Sequence, residues 1–394
     1  MTDPSVIIVG AGVYGVTAAL ALRRRGWQVR LLDPGPLPHP AAASTDISKV
    51  IRLDYGPDEP YMAWMEHAFE GWERWNRRWP ERLYHRTGVF YPTRAAWHPG
   101  KYEAESFALL RRRGHTPERL DAGAIAARFP AWRAAGFVDG YFNPLGGYAE
   151  SGRVMAQLIR EAQAAGVELL AGRVFARLHE AGSRVGGVIT TDGGRLHAGQ
   201  VLVAAGAWTH HLLPWMSGWL RSTGMPVWHF RPPDPELFRA ERFPVFGADI
   251  TLTGYYGFPL NRDGVVKLAH HGAGRAAHPD APDKAVTAEE TEAARAFLRD
   301  YLPGLVAAPV VFTRRCFYSD TWDGHFWIAP DPDRDGLVVA AGCGGHAFKF
   351  APVLGDCIAD AVEGRPHPML SLFRWRPEVG PGHGQEASRQ AAEL

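Results

Sequence analysis

The 394-residue sequence predicts an α/β plus α+β chain: a discontinuous, Rossmann-like dinucleotide-binding domain with a β-sheet-rich substrate domain set into it. Three observations carry this. A Val/Ile-rich run at residues 5–10 leads through Gly10, Gly12 and Gly15, spaced GxGxxG, into an Ala/Leu-rich helical segment. Strand, glycine turn and helix in that order open a βαβ unit. Buried strand patterns ending in glycine return at 201–206 and 336–342. Between them, residues 226–268 read as β-rich, with many aromatics and prolines. Nucleotide-binding elements at both ends and in the middle place that domain at 1–85, 146–222 and 306–376. The substrate domain then occupies 86–145 and 223–305. The polar, Gly-rich stretch 377–394 is expected to be a disordered tail.

Each element has a local reason. The first helix closes on a cluster of arginines, which suit a helix C-terminus, and Gly26 ends it. Residues 27–32 form the second strand, and 36–44 a Pro/Ala-rich loop. Helical periodicity covers 61–79, 102–114, 122–129 and 151–165, with short strands at 88–91 and 167–170. Residues 174–198 alternate around Asp192, Gly193 and Gly194, a hairpin pattern. Thr287 and Glu290 have capping-box spacing for a helix over 287–301. A Gly-rich turn at 342–345 is expected to lead into a helix that runs to about Val362.

The bulk numbers narrow the class. A hydrophobic content of 46% with 22% charged residues is ordinary globular composition. A net charge of +1 supplies no field for nucleic acid or a membrane surface. Most of the fourteen tryptophans read as packing. Three cysteines, Cys316, Cys343 and Cys357, argue against a disulfide framework, and their spacings fit no zinc site. The N-terminal residues lack signal-peptide features, and no apolar run reaches membrane-span length. The expected setting is cytosolic.

In the glycine turn, Gly10 permits the bend, Gly12 lets the backbone approach a pyrophosphate, and Gly15 allows close helix–strand packing. The helix N-terminus then faces the negative charge. Asp33, 18 residues after Gly15, closes the second strand, where an acid can accept hydrogen bonds from ribose hydroxyls. This fingerprint serves FAD and NAD alike. The strand VLVAAGAW at 201–208 is similar to one that returns to cover FAD in flavoproteins with two dinucleotide-binding units. Arg173 and Val174 lie where such proteins contact adenine through backbone.

Four ordered motifs then stand out: DISKVIRLDYG at 46–56, GYYGFPLNRDGVVKLAHH at 254–271, CFYSDTWDGHF at 316–326 and GCGGHAFKFAP at 342–352. On these the chain resembles the monomeric sarcosine oxidase family of FAD-dependent amine oxidases, which includes N-methyltryptophan and fructosyl amino acid oxidases. The resemblance covers nearly all of the chain apart from the tail. It implies FAD attached covalently through Cys316. It implies oxygen activation by Lys267, where an ammonium would stabilise nascent superoxide. It also implies a substrate carboxylate held by the fork of Arg52 and the point charge of Lys349. His271, Tyr256 and Tyr318 match pocket positions. The implied cofactor contacts are Gly10, Gly12, Val13, Tyr14, Gly15, Asp33, Pro34, Ser44, Thr45, Lys49, Val174, Ala205, Gly206, Trp208 and Cys316. To these the last motif adds Gly342, Gly344, Gly345, His346, Phe348 and Lys349, with backbone N–H groups and a helix N-terminus aimed at the flavin pyrimidine edge. His325 and Trp322 follow the flavin cysteine as candidate cavity residues. Lys49 departs from the pattern: sarcosine oxidase has arginine there, and fructosyl amino acid oxidases have lysine. That weakens the case for small N-methyl amino acids.

The implied activity is oxidation of the C–N bond of a secondary amine or amino acid carrying a carboxylate, with O2 reduced to H2O2. N-alkyl amino acids, cyclic imino acids, glycated amino acids and larger biosynthetic intermediates all fit. The partners are a small-molecule amine and O2, with no nucleic acid and no membrane, and the family precedent is a monomer. The alternatives are a dehydrogenase of the same fold with another electron acceptor, and a non-catalytic FAD-binding protein. Retention of Cys316, Lys267, Arg52 and Lys349 together argues against the last.

Overall fold

The computed structural model describes residues 4–133, 135–381 and 384–394. A six-stranded sheet runs in the order Trp327–Pro330, Leu337–Ala341, Gln200–Val203, Ser5–Val9, Gln28–Asp33, Glu168–Ala171. Neighbours are parallel except the first pair, which is antiparallel. Three central strands, Leu337–Ala341, Gln200–Val203 and Ser5–Val9, are almost wholly apolar, as strands covered on both faces must be. The helix Val13–Arg24 packs on one face against Ala351–Glu363. That contact is close enough to need Gly355, where a Cβ would sit 2.2 Å from the Thr17 carbonyl oxygen. The hairpin pattern becomes a three-stranded antiparallel sheet, Phe175–Ala181, Arg184–Thr190 and Arg195–His197.

The second large sheet has nine strands. Its axis is the pairing of Leu220–Phe230 with Val310–Thr321, flanked on the other side by Val266–His270. The sheet therefore extends to Thr321, past the residue 305 expected from the sequence. The apolar residues of 310–321 fall in two runs, 310–312 and 316–318, which do not say which sheet the segment joins. The helix Ala288–Tyr301 covers the outer face, and its Thr287–Glu290 capping box forms. That face is packed with Trp228, Phe230, Leu268, Tyr255 and Phe297, all nearly inaccessible.

A separate small sheet is formed by Lys49–Ile51, Gly147–Ala149 and Tyr84–His85. After the Gly-rich turn the chain does not enter an α-helix directly. Phe348–Phe350 is a 3-10 turn, and the helix begins at Ala351 behind Pro352. The stretch 384–394 is also unlike the free tail expected. Its Glu386, Ser388, Arg389 and Ala391 are buried. Polar composition signals solvent only when the polar groups lack partners, and these have them. Among the described residues, no helix is long and apolar enough to cross a membrane, and no His/Cys/Asp/Glu cluster could hold a metal. All three cysteines are free.

Candidate active site

The carboxyl ends of the parallel strands open into a cavity of about 1360 Å³ with the open solvent at its mouth included. This is where open α/β sheets bind ligands. Gly10, Gly12, Val13, Tyr14, Asp33, Pro34, Ser44, Val174, Ala205, Gly206 and Trp208 all line it, as expected from the sequence. Sequence reasoning missed His39, Ala42, Ala43, Asp280, Phe317 and Cys343, which come from loops and a strand of the other unit. Gly15 lies beneath the turn: a Cβ there would fall 1.9 Å from the Gly10 oxygen. Thr45 is outside the cavity, its carbonyl accepting from Arg314. Asp33 does more than face a ribose: its Oδ2 accepts from the Ala11 N–H at 2.8 Å and fixes the glycine turn.

The cavity fits an FAD. The helix Val13–Arg24 has no acidic residue in its first turn, and the Ser44 hydroxyl accepts from the Val13 N–H at 3.0 Å. With no acidic residue beside it, this helix N-terminus favours an anion. The Tyr14 hydroxyl is buried without a partner beside the same turn. Gly206 has no atom within 4 Å of where a Cβ would stand, so the wall there is bare backbone.

A second cavity, about 650 Å³ with the open solvent at its mouth included, is lined by Lys49, Arg52, Tyr91, Phe246, Ile250, Tyr256, His271, Gly345, His346, Phe348, Lys349 and Ser388. Strand pairing explains its chemistry. Met225 stands opposite Cys316, Thr223 opposite Tyr318, His229 opposite Lys267, and Tyr256 opposite Ala269. Opposed residues share a face and alternate residues repeat it. Cys316, Tyr318, Lys267, His271 and Tyr256 therefore all project from one face of one sheet. Met225, Val227, Ala269, Cys316 and Tyr318 form the buried cluster on that face, with Ala43 and Tyr256 packed against it.

Lys267 is buried behind the cavity wall. Its Nζ donates to Asp46 Oδ2 and to the Ser48 carbonyl, both at 2.7 Å, and lies 4.7 Å from the Phe258 ring centre. Lys49 shares Asp46 at 3.2 Å, and its Nζ is 3.7 Å from Cys316 Sγ. Burial alone would raise the Asp46 carboxyl, but the two ammonium groups outweigh it and hold the acid ionised. Burial brings Lys267 down to about 8 despite Asp46. Lys49 moves the other way, because Cys316 and Asp46 outweigh its burial. Asp46 lies in the first motif, three residues before Lys49, and that spacing was the only signal of its role.

Arg52 follows the strand Lys49–Ile51. Its Nη1 donates to the Tyr102 hydroxyl at 2.8 Å, and its Nη2 to Glu386 at 2.9 Å and to Ser388 at 3.1 Å. The guanidinium lies 4.8 Å from the Tyr55 ring centre, and Lys349 Nζ lies 5.0 Å from it. Lys349 donates to the Tyr55 hydroxyl at 3.0 Å and the His346 carbonyl at 2.9 Å. Burial, and then Arg52, push Lys349 well below the usual lysine range. Burial also lowers His271, so it is neutral; its Nδ1 is 3.4 Å from the Tyr318 hydroxyl. His346 supports the Gly-rich turn, with Nε2 3.2 Å from the Gly324 carbonyl. Gly342, Gly344 and Gly345 have φ of 68°, 52° and 74°, which L side chains rarely adopt. His325 stacks on Tyr61, and Trp322 donates to the Gly218 carbonyl, and neither is among the residues lining these two cavities.

This pair of cavities marks a flavoenzyme, and comparison agrees. Residues 5–361 match the family "FAD dependent oxidoreductase" (DAO), and the chain belongs to that family. It is 30% identical over 381 residues to N-methyl-L-tryptophan oxidase of Salmonella arizonae, covering 94% of this chain and 97% of that one. The Salmonella dublin enzyme of the same name is 29% identical over 367 residues, covering 91% and 95%. Among solved structures, the deglycating enzyme fructosamine oxidase of Aspergillus fumigatus (Amadoriase II) matches with a TM-score of 0.86 at 25% identity, covering 100% of this chain and 94% of that one. Fructosyl peptide oxidase from E. terrenum shares the fold, with a TM-score of 0.83 at 22% identity and coverage of 100% and 96%. These relatives are FAD-dependent amine oxidases acting on CH–NH donors, and this chain is an enzyme of that kind.

Proposed function

We propose that the chain oxidises a secondary amine or amino acid carrying a carboxylate, with O2 as the electron acceptor and H2O2 as the reduced product. The observation that carries this is the buried Arg52 guanidinium at the end of a cavity lined by Lys49, Tyr256 and His271. Bound FAD supplies the hydride acceptor and returns the electrons to oxygen. Arg52 receives the carboxylate through charge-assisted hydrogen bonds. Tyr55 holds Arg52 and Lys349 apart on its ring and keeps both aimed at the cavity end. Neutral His271 and the Tyr318 hydroxyl orient the amine without protonating it. Lys267 supplies positive charge for oxygen reduction. Cys316 anchors the isoalloxazine covalently, with the Lys49 ammonium beside its sulfur. The names of the relatives, N-methyl-L-tryptophan oxidase and fructosamine oxidase, both denote secondary-amine substrates, which supports the substrate class.

A peroxidase-coupled assay with N-methyl amino acids, cyclic imino acids and glycated amino acids tests it. Peroxide from one group is the expected result. Flavin that is reduced by substrate but stays reduced in air would replace oxygen with another acceptor. A flavin that no member of the panel reduces would reject this substrate class.

A further inference from the structure

The end of the chain lies in the substrate site. Glu386, 6% exposed, places Oε1 2.9 Å from Arg52 Nη2 and Oε2 3.5 Å from His271 Nε2. Ser388 completes the arrangement: its hydroxyl accepts from Arg52 Nη2 at 3.1 Å, and its N–H donates to Glu386 Oε2 at 3.1 Å. The docking has its own anchor. Arg389 is buried and pairs with Asp320 at 2.5 and 2.8 Å, and it donates to the Gly272 and Ala273 carbonyls at 2.7 and 3.1 Å. The Ala273 N–H donates in turn to the Ala391 carbonyl at 2.9 Å. Two glycines give the segment room. A Cβ at Gly324 would fall 2.5 Å from the Glu386 nitrogen, and one at Gly272 would fall 2.6 Å from the Ala392 oxygen.

We propose that residues 384–394 are a tethered occupant of the substrate site: the Glu386 carboxylate stands on Arg52 where a substrate carboxylate binds, and must leave before one enters. This rests on the reading of Arg52 as the carboxylate partner. A buried guanidinium whose Nη2 donors are already taken by Glu386 and Ser388 has no free fork for a second anion, and an incoming carboxylate would meet like charge. The tether holds Glu386 at high local concentration, so the apparent affinity of any carboxylate falls by the fraction of molecules with the segment released. Small carboxylates with few other contacts are thereby excluded, and substrates that also fill the aromatic wall of Tyr91, Phe246 and Phe348 are favoured.

The test uses the full-length holoenzyme with benzoate as the carboxylate probe, titrated by its perturbation of the flavin spectrum. Glu386→Gln removes the competing charge. Arg389→Gln loosens the anchor without touching Arg52. Both should tighten benzoate binding about ten-fold or more. In the unmodified chain, benzoate should accelerate amide hydrogen exchange across 384–394, a readout that needs no variant to fold. Unchanged benzoate affinity in both variants, or unchanged exchange when benzoate binds, would overturn the tethered-occupant reading while leaving Arg52 in place. Benzoate binding that survives Arg52→Met, or that is absent from all three proteins, would instead reject the carboxylate assignment of Arg52 and the tail proposal with it.

Discussion

Replacing Lys267 with Met separates the two halves of the proposed reaction. Methionine keeps the stem that packs near Phe258 and removes only the charge. Two buried acceptors, Asp46 Oδ2 and the Ser48 carbonyl, lose a donor at 2.7 Å. Removing one partner of a buried ion pair ordinarily costs about 3–5 kcal/mol. Here Asp46 retains Lys49 at 3.2 Å and the Ile47 N–H at 2.7 Å, so its charge stays compensated. The loss should be nearer about 1–3 kcal/mol, the cost of unsatisfied buried acceptors. The kinetic effect is larger. A preorganised donor at a site of developing negative charge is worth about 10²–10³ in rate. Rapid mixing resolves the steps: anaerobic reduction by substrate should be nearly intact, while reoxidation of the reduced enzyme by O2 falls by that factor. Equal loss in both steps, with flavin content unchanged, would refute the assignment of Lys267 to oxygen.

Four further outcomes follow from the geometry. The Lys267 ammonium, brought down to about 8, should be lost as pH rises, so the oxygen step should slow above pH about 8 in the parent enzyme and show no such slope in the Met variant. Because this folded-state value lies below the ordinary 10.5, the unfolded chain binds more protons between the two, and the Lys267 contribution to stability should improve with rising pH across that window, as urea unfolding against pH would show. Cys316→Ala should keep FAD in the cavity but release it on acid precipitation, leaving a colourless pellet and a yellow supernatant. Gly15→Ala forces a Cβ to within 1.9 Å of the Gly10 oxygen and should cost more than the about 1–3 kcal/mol of ordinary overpacking, seen as a lower melting temperature and loss of FAD.

Legibility from sequence followed the range of the interactions. The glycine turn, Asp33 and the first helix are local, and the pattern located their part of the cavity. Family resemblance singles out Lys267 and His271, and the structure puts Lys267 on the strand Val266–His270 with His271 just beyond it. What local pattern could not say is which sheet claims 310–321, since pairing with Leu220–Phe230 spans some ninety residues of chain. The cavity wall from Tyr91, Phe246 and Ile250 was hidden for the same reason: apolar residues in short segments signal burial without saying against what. The tail was misread on composition. Its fate turns on Arg389 finding Asp320, a pairing 69 residues apart that leaves no local trace.

The shared face of the nine-stranded sheet has a consequence for how this enzyme can change. The strand Leu220–Phe230 contributes none of the assigned reacting groups, yet it sets the alignment of the strands bearing Cys316 and Lys267 on either side of it. Inserting or deleting a single residue in it would turn one neighbour's side chains to the helix-covered side. Point substitution within the face can retune the pocket, whereas length change in the middle strand would disassemble it. New specificities should therefore be sought in the loops and short segments that form the cavity wall, with the ruler beneath them kept at constant length.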